Sequence, residues 1–277
     1  MAIASGSKHT LHYIAESTYG TTPATPTWTP ICHSACTLGM TKDAIEDDCL
    51  NATRQVKGLR HGNRQTSGDI NGRLAYGEYD DLLEAALMGT WTSDELKVGV
   101  VERSFTFERY FDVGTDEYHR FEGCKINTMS ISVEPNANVG LTFGIVGQDL
   151  DSDNMTSQVA SSTYSTASTS VPFDSFTGTI TEGGSSIGVV TSLELNLDNG
   201  YESIFALMST TGIEPTGGKS RLTGTCTVYY ESKAQYEKFL NETSSAIVLT
   251  LTDTAGNDLS INLPNIKYTA GNPDVSG

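Results

Sequence analysis

YGEYDDLLEAALMG, residues 76–89, is the clearest helical stretch in a chain that otherwise reads as strands. Within residues 79–87, Leu82, Leu83, Ala86 and Leu87 fall on one stripe at helical spacing. Asp80, Asp81 and Glu84 occupy the early turns, where the helix dipole favours acids. Gly89 is placed to end the helix. The stretch before it, TSGDINGRLAY (residues 66–76), alternates as a strand does, with Ile70, Gly72 and Leu74 on one face.

The same order returns in LTGTCTVYYESKAQYEKFLNET, residues 222–243. An alternating strand comes first, then a short amphipathic helix. Tyr236, Phe239 and Leu240 repeat the spacing of Tyr79, Leu82 and Leu83, so these six side chains are the expected helix-packing residues. Two strands follow each helix. RSFTFERYFD and EYHRFEGCKINTMSISV turn at Gly114; AIVLTLTD and DLSINLPNIKYT turn at Ala-Gly-Asn. ACTLGMT and VTSLELNLD precede the two units, each separated from its unit by a long loop.

Strand, long loop, strand, helix and hairpin therefore occur twice, and a duplicated β protein is the economical reading. We expect a mainly β fold of two tandem β-sandwich or barrel domains, each with one short flanking α-helix. The expected divisions are an extended arm at 1–30, a first domain at 31–148, a linker at 149–170 and a second domain at 171–277. The linker expectation rests on DLDSDNMTSQVASSTYSTAST, rich in Ser and Thr and poor in apolar residues. Pro23, Pro26 and Pro30 and the lack of apolar periodicity predict an arm that is mobile in a monomer. A helix repeated with few shared polar residues reads as a cap over a sheet rather than a catalytic element.

Composition narrows the function. The chain has 277 residues, a formal net charge of −17 and 8% aromatics. Acids outnumber bases in both halves, so the surface repels free nucleic acid rather than binding it. No apolar run is long enough to cross a bilayer, so no membrane anchor is expected. The first residues lack a basic region followed by an apolar one, so no secretory signal is expected. Without secretion, the sequons at Asn51, Asn154 and Asn241 carry no meaning. Cys32, Cys36, Cys49, Cys124 and Cys226 read as reduced and mostly buried thiols.

Catalytic signatures are missing. EPTGGKSRLTG resembles a phosphate loop, but Ile213 stands where the motif needs glycine and a strand follows instead of a helix. Cys32, His33 and Cys36 lack a second ligand pair, so no metal is expected. No Gly-x-Ser-x-Gly elbow occurs, and only Trp28 and Trp91 could stack on a sugar. We therefore expect no catalytic residues and no cofactor. Residues 42–64 carry the most informative charge pattern. Asp43, Glu46, Asp47 and Asp48 come first, then Arg54, Lys57, Arg60 and Arg64. This is a solvated loop, an arm whose basic part docks on an acidic neighbour or, against the charge of the rest of the chain, a nucleic-acid contact.

LHYIAESTYGTTPATPTWTPI (residues 11–31) places an acid, Tyr-Gly, Thr-Pro-Ala-Thr-Pro and Trp in sequence. Together with SGDINGRLAYGEYDDLLEAALMG (residues 67–89), it resembles the major tail tube proteins of long, non-contractile-tailed bacteriophages. The resemblance covers about residues 10–270. It implies a structural virion protein that forms rings stacked into a tube, assembled in the host cytoplasm. DNA would pass through the lumen without specific binding. Tape measure, terminator and tail tip proteins would be its partners. The eight charged residues of the 42–64 loop named above become inter-ring contact candidates. One domain per chain and six-membered rings are usual for the family. A duplicated chain implies a trimeric ring of pseudo-sixfold symmetry, with a hexamer as the alternative. Another virion β-protein, such as a decoration, terminator or adhesin module, is the competing reading.

Overall fold

Residues 116–133 form one strand 18 residues long, and its bend decides the architecture. Gly123 sits in the middle at φ 61. A Cβ there would come within 2.7 Å of the Gln148 side chain and 2.9 Å of the Tyr19 ring. Only glycine combines that backbone angle with that approach. The strand therefore changes direction and belongs to two sheets.

The computed structural model describes residues 6–49 and 55–271. It opens with β1 (Thr10–Ala15), β2 (Thr27–Pro30), β3 (Ala35–Cys36), β4 (Gly39–Glu46) and β5 (Leu59–Arg73). Next come α1 (Asp80–Leu87), β6 (Phe105–Asp112), the bent β7 (Asp116–Val133), β8 (Gly140–Gly147) and β9 (Asp149–Asp151). The second half contains β10 (Thr163–Tyr164), β11 (Gly178–Glu182), β12 (Ser185–Ser186), β13 (Val190–Asp198), β14 (Ile204–Phe205) and β15 (Gly212–Ile213). It ends with β16 (Arg221–Val228), α2 (Ala234–Leu240), β17 (Ser245–Thr252) and β18 (Asp258–Ile266).

The first half of β7 pairs with β6 and β9; its second half pairs with β8 and β13. Two pairing orders then match. β2-β1-β6-β7 in the first half corresponds to β12-β11-β17-β18 in the second, antiparallel throughout. The β4·β5 pair corresponds to β13·β16. The hairpin turns fall where glycine permits positive φ, at Gly114 (φ 86) and Gly256 (φ 86). The fold is mainly β, and no barrel closes among the described residues.

The two halves share a sheet. β13 hydrogen-bonds to β7, giving a continuous antiparallel order β4-β5-β8-β7-β13-β16. One face of this sheet is apolar: Ile70, Ile126, Ile131, Leu141, Phe143, Ile145, Leu193, Leu195 and Leu197 are all buried in one core. α1 adds Leu82, Ala85 and Ala86 to it, and β17 adds Leu249 and Leu251.

Several expectations need correction. The supposed arm contributes two strands: β1 pairs with β2 and β6, and Leu11, Tyr13 and Trp28 are buried. Alternation of Leu11 and Tyr13 over a six-residue strand is too short a signal to outweigh three prolines. Of the arm, residues 1–5 lie outside the described residues. The linker stretch is also held down. β9 pairs with β7 and β10 pairs parallel with β2. Among the cysteines, all free, only Cys124 is buried; Cys32 and Cys49 are exposed. α1 ends through Met88, in the left-handed conformation at φ 50, one residue before Gly89.

Candidate assembly surface

The face of the shared sheet opposite the core is lined by short polar side chains. Registers align them in rows. One row runs Thr225, Glu194, Ser132, Gly140 and Arg73; the next runs Thr223, Asn196, Ser130, Thr142 and Asn71; a third runs Arg221, Asp198, Thr128, Gly144 and Asp69. Thr142 Oγ1 donates to Asn71 Oδ1 at 2.8 Å, and Asn196 Nδ2 donates to Glu194 Oε1 at 3.0 Å. A Cβ at Gly144 would stand 2.2 Å from Thr128 Oγ1, so the face is locally flat. It is a polar surface with Asp69, Glu194 and Asp198 beside Arg73 and Arg221.

At one end of the sheet, β4 and β5 run on together as a two-stranded ribbon. β5 meets β8 only from Thr66 onward, so Thr41↔Gln65 to Glu46↔Leu59 pair without a third strand. Both faces are open: Ile45, Val56 and Leu59 are more than half exposed. A lone two-stranded ribbon is marginal in water.

The charged candidates of residues 42–64 divide along this ribbon. Asp43 and Glu46 lie on β4 and Arg60 on β5. Asp47, Asp48 and Lys57 lie in the connection, and Arg54 falls outside the described residues. The Cys49 thiol, and then its amide donating to Asp47 Oδ1 at 3.1 Å, hold the Asp47 carboxyl below the ordinary value. Arg64 does not reach out. It sits at the ribbon's root, where its Nη1 meets Asp149 Oδ2 at 3.1 Å and its amide donates to Thr210 O at 2.7 Å.

The helix-packing candidates also divide. Tyr79 and Leu82 are buried and Leu83 packs against the core, with Tyr79 Oη donating to Cys32 O at 2.6 Å. Tyr236 and Phe239 are half-buried against each other, with ring centroids 6.2 Å apart, and Leu240 is 58% exposed. The second helix buries none of its residues.

Three polar clusters that the sequence reading missed lock these surfaces together. Lys125, 1% exposed, places its Nζ 2.5 Å from Glu102 Oε2, 2.9 Å from Glu214 Oε1 and 2.8 Å from Pro215 O. The Tyr19 and Tyr201 rings lie 5.5 and 5.3 Å away, within cation–π range. Burial alone would raise the Glu102 carboxyl; Lys125 and the Gly217 amide hold it below its ordinary value. The connection between β13 and β16 is thereby fastened to the first half. Asn199 reinforces this, its Nδ2 donating to Ala86 O at 2.9 Å and Ile126 O at 3.1 Å.

Arg120 does the same for residues 149–165. Its Nε meets Glu108 Oε2 at 3.1 Å and its Nη1 meets Asp151 Oδ2 at 3.1 Å. Its Nη2 donates to Asn154 O at 2.9 Å and to Ser157 O. Tyr164 Oη donates to Glu108 Oε1 at 2.8 Å. Burial pushes the Glu108 carboxyl above its ordinary value against the pull of Tyr164 and Arg120. Both basic residues lie on β7 among its buried positions, and nothing in the local sequence pattern marked them.

The third cluster is a one-way chain of hydrogen bonds. Arg109 Nε–H donates to His9 Nε2 at 3.1 Å, so His9 carries its proton on Nδ1 and donates to His33 Nε2 at 2.8 Å. His33 Nδ1 then donates to Ile31 O at 3.1 Å. The chain works only with neutral imidazoles. Burial, with Arg109 and the neighbouring histidines, lowers His9 to about 4, and burial, then His33, lowers His12 to about 4.

Fold and surface together describe a mainly β protein with a polar sheet face and a projecting two-stranded ribbon. Among the described residues, no helix is long and apolar enough to cross a membrane. The family profile described as phage tail tube protein matches residues 6–277, and the chain belongs to that family. No curated protein matches it.

Proposed function

We propose that the protein is the major tail tube subunit of a long, non-contractile phage tail, with rings stacked around a lumen that conducts DNA. The observation that carries this is the six-strand sheet, apolar on one face and lined by Ser, Thr, Asn and Gly on the other. Short uncharged polar groups hold water and offer a phosphate few cations, so a duplex slides rather than sticks. The Asp and Glu of this face repel a polyanion that carries about one charge per 1.7 Å. The exposed β4–β5 ribbon is the contact to the next ring, through Asp43, Glu46, Asp47, Asp48, Lys57 and Arg60.

Two modules per chain, divided near 149–170, favour three chains in a pseudo-sixfold ring over six. Tape measure, terminator and tail tip proteins are the expected partners, and assembly is expected in the host cytoplasm. The protein serves this role as a non-catalytic building block. Electron microscopy of purified protein at rising concentration tests the reading. Stacked hollow tubes are expected; persistent single particles favour a decoration or adhesin role. In a phage carrying Glu194→Lys and Asp198→Lys, DNA ejection should slow. Unchanged ejection kinetics would remove the lumen assignment.

A further inference from the structure

We propose that a groove between β1, the β6–β7 hairpin and residues 158–164 binds a small free alkylammonium ion, with polyamines as the ligand class. The site stands apart from the tail tube reading. The groove has a volume of about 280 Å3, room for a short alkyl chain rather than a protein surface. Register places its walls. Thr10 lies opposite Tyr110 and Tyr110 opposite Tyr118, while His12 lies opposite Glu108. Opposite residues share a face of the sheet, here the one turned away from Leu11, Tyr13 and Phe107 in the core. Tyr164 reaches the same face from β10, its ring centroid 4.8 Å from that of His12. The Tyr118 amide donates to Met155 O at 2.7 Å, which holds the stretch carrying Gln158 beside the groove.

The groove's hydrogen-bonding capacity is lopsided. Tyr110 Oη donates to Asp116 Oδ1 at 2.9 Å, and Tyr164 Oη donates to Glu108 Oε1 at 2.8 Å. Each hydroxyl has spent its single proton, so its oxygen can only accept. The Asp116 carboxylate adds further acceptors. Among the described residues no cation lies within ion-pair distance of it; Lys8 instead meets Asp112, across the hairpin, at 2.6 Å. His12 Nδ1 is buried without a partner among the described residues. Burial, then His33, hold this imidazole at about 4, so it is neutral and does not repel a cation. Thr10 and Gln158, both exposed, contribute donors and acceptors alike. The Tyr110 and Tyr118 rings, centroids 5.2 Å apart, add π faces that attract cations. Arg120 lies 6.0 Å from the Tyr118 ring but is already paired with Glu108 and Asp151. An ammonium group brings donors and no acceptor, which complements this lining. A sugar or diol would need donors that Tyr110 and Tyr164 have already committed.

Equilibrium dialysis of putrescine against the full chain, with excess magnesium to suppress diffuse counterion binding, tests this. One saturable site per chain is expected. Asp116→Asn should weaken it by about tenfold and Tyr110→Leu by about threefold, in proteins whose circular dichroism is unchanged. Glu231→Gln removes an equal charge from an exposed position in the second half and should leave binding as it was. Equal weakening by Asp116→Asn and Glu231→Gln, or no saturable uptake, would overturn the proposal and leave only attraction to an acidic surface. The dihydroxy analogue of putrescine, bound as tightly as the diamine, would make the groove a polyol site. Nα-acetyl-lysine amide, bound more tightly than the diamine, would make the ligand a lysine of a protein partner. Either result overturns the assignment.

Discussion

The two halves share a pairing order but differ in what they bury. In the first, Tyr79, Leu82, Ala85 and Ala86 of the helical segment are enclosed. Its helix is clamped by Arg103, 2.9 Å from Glu84, while Glu84 also accepts the Trp91 amide at 2.7 Å. In the second, α2 buries nothing, β16 is exposed along most of its length and β18 alternates only between exposed and half-buried. The first half encloses its helix and core; the second leaves its helix and outer strands open. Under the tail tube proposal, the difference separates residues that stabilise the monomer from residues that would stabilise the assembly.

Substitutions at the two modules' ion pairs should separate most widely. Arg120→Ala would leave Glu108, fully buried, without its cation. Breaking a buried pair in this way costs about 3–5 kcal/mol, and residues 149–165 should become open to proteolysis. Lys238→Ala in the second half removes the partner of Glu182, at 2.6 and 2.7 Å; Glu182 is itself buried, but Lys238 is 29% exposed against Arg120's near-complete burial, so its removal opens a path for water. Its loss should be clearly smaller. Urea unfolding of both variants checks the ranking; equal losses would mean the second half is as enclosed as the first.

The helices give the next contrast. Leu82→Ala should destabilise the monomer by about 2–5 kcal/mol, because a fully buried leucine leaves a cavity. Leu240→Ala, at the matching helix end, should stay within about 0.5 kcal/mol. Thermal melts at low concentration read the difference. A Leu240→Ala melt that falls as far as Leu82→Ala would show that α2 is part of the monomer's core.

Much of this was legible in the sequence, and the failures have physical causes. The repeat appeared because helix spacing and hairpin turns are local: Leu82 and Leu83 predict Phe239 and Leu240, and Gly114 predicts the turn at Gly256. Burial of those helix residues was not legible, since amphipathic spacing is the same for a face packed in a core and one awaiting a partner. β1 and β2 were missed because β1 is held by β6, and β2 by β1 and β10, partners that lie far away in sequence. The ion clusters escaped for the same reason: Lys125 meets Glu214 and Arg120 meets Asp151 only after β7 bends at Gly123. The ribbon's charges were found, yet Arg64 looked like its neighbours although it pairs inward with Asp149.

Acid should probe the comparison most gently, because the histidine chain belongs to the first half alone. His9 and His12 are held at about 4, below the ordinary value of 6.5. Between those values the unfolded chain binds protons that the folded chain refuses, so stability is full above pH 6.5 and falls as pH drops toward 4. Protonating His9 would put a second cation 3.1 Å from Arg109 and remove the donor–acceptor match with His33. The loss should appear first in β1 and residues 31–38, which the chain ties to β6 through Arg109 Nη1 on Leu38 O at 2.5 Å. Hydrogen exchange at pH 7 and pH 5 can locate it. Faster exchange in β1 at pH 5, relative to the intrinsic rate, with β17 and β18 unchanged, is the expected pattern. Loosening confined to the second half would place the acid-sensitive contact elsewhere. His9→Gln, which keeps one donor and one acceptor without titrating, should reduce the pH dependence in β1 and leave the part that His12 contributes.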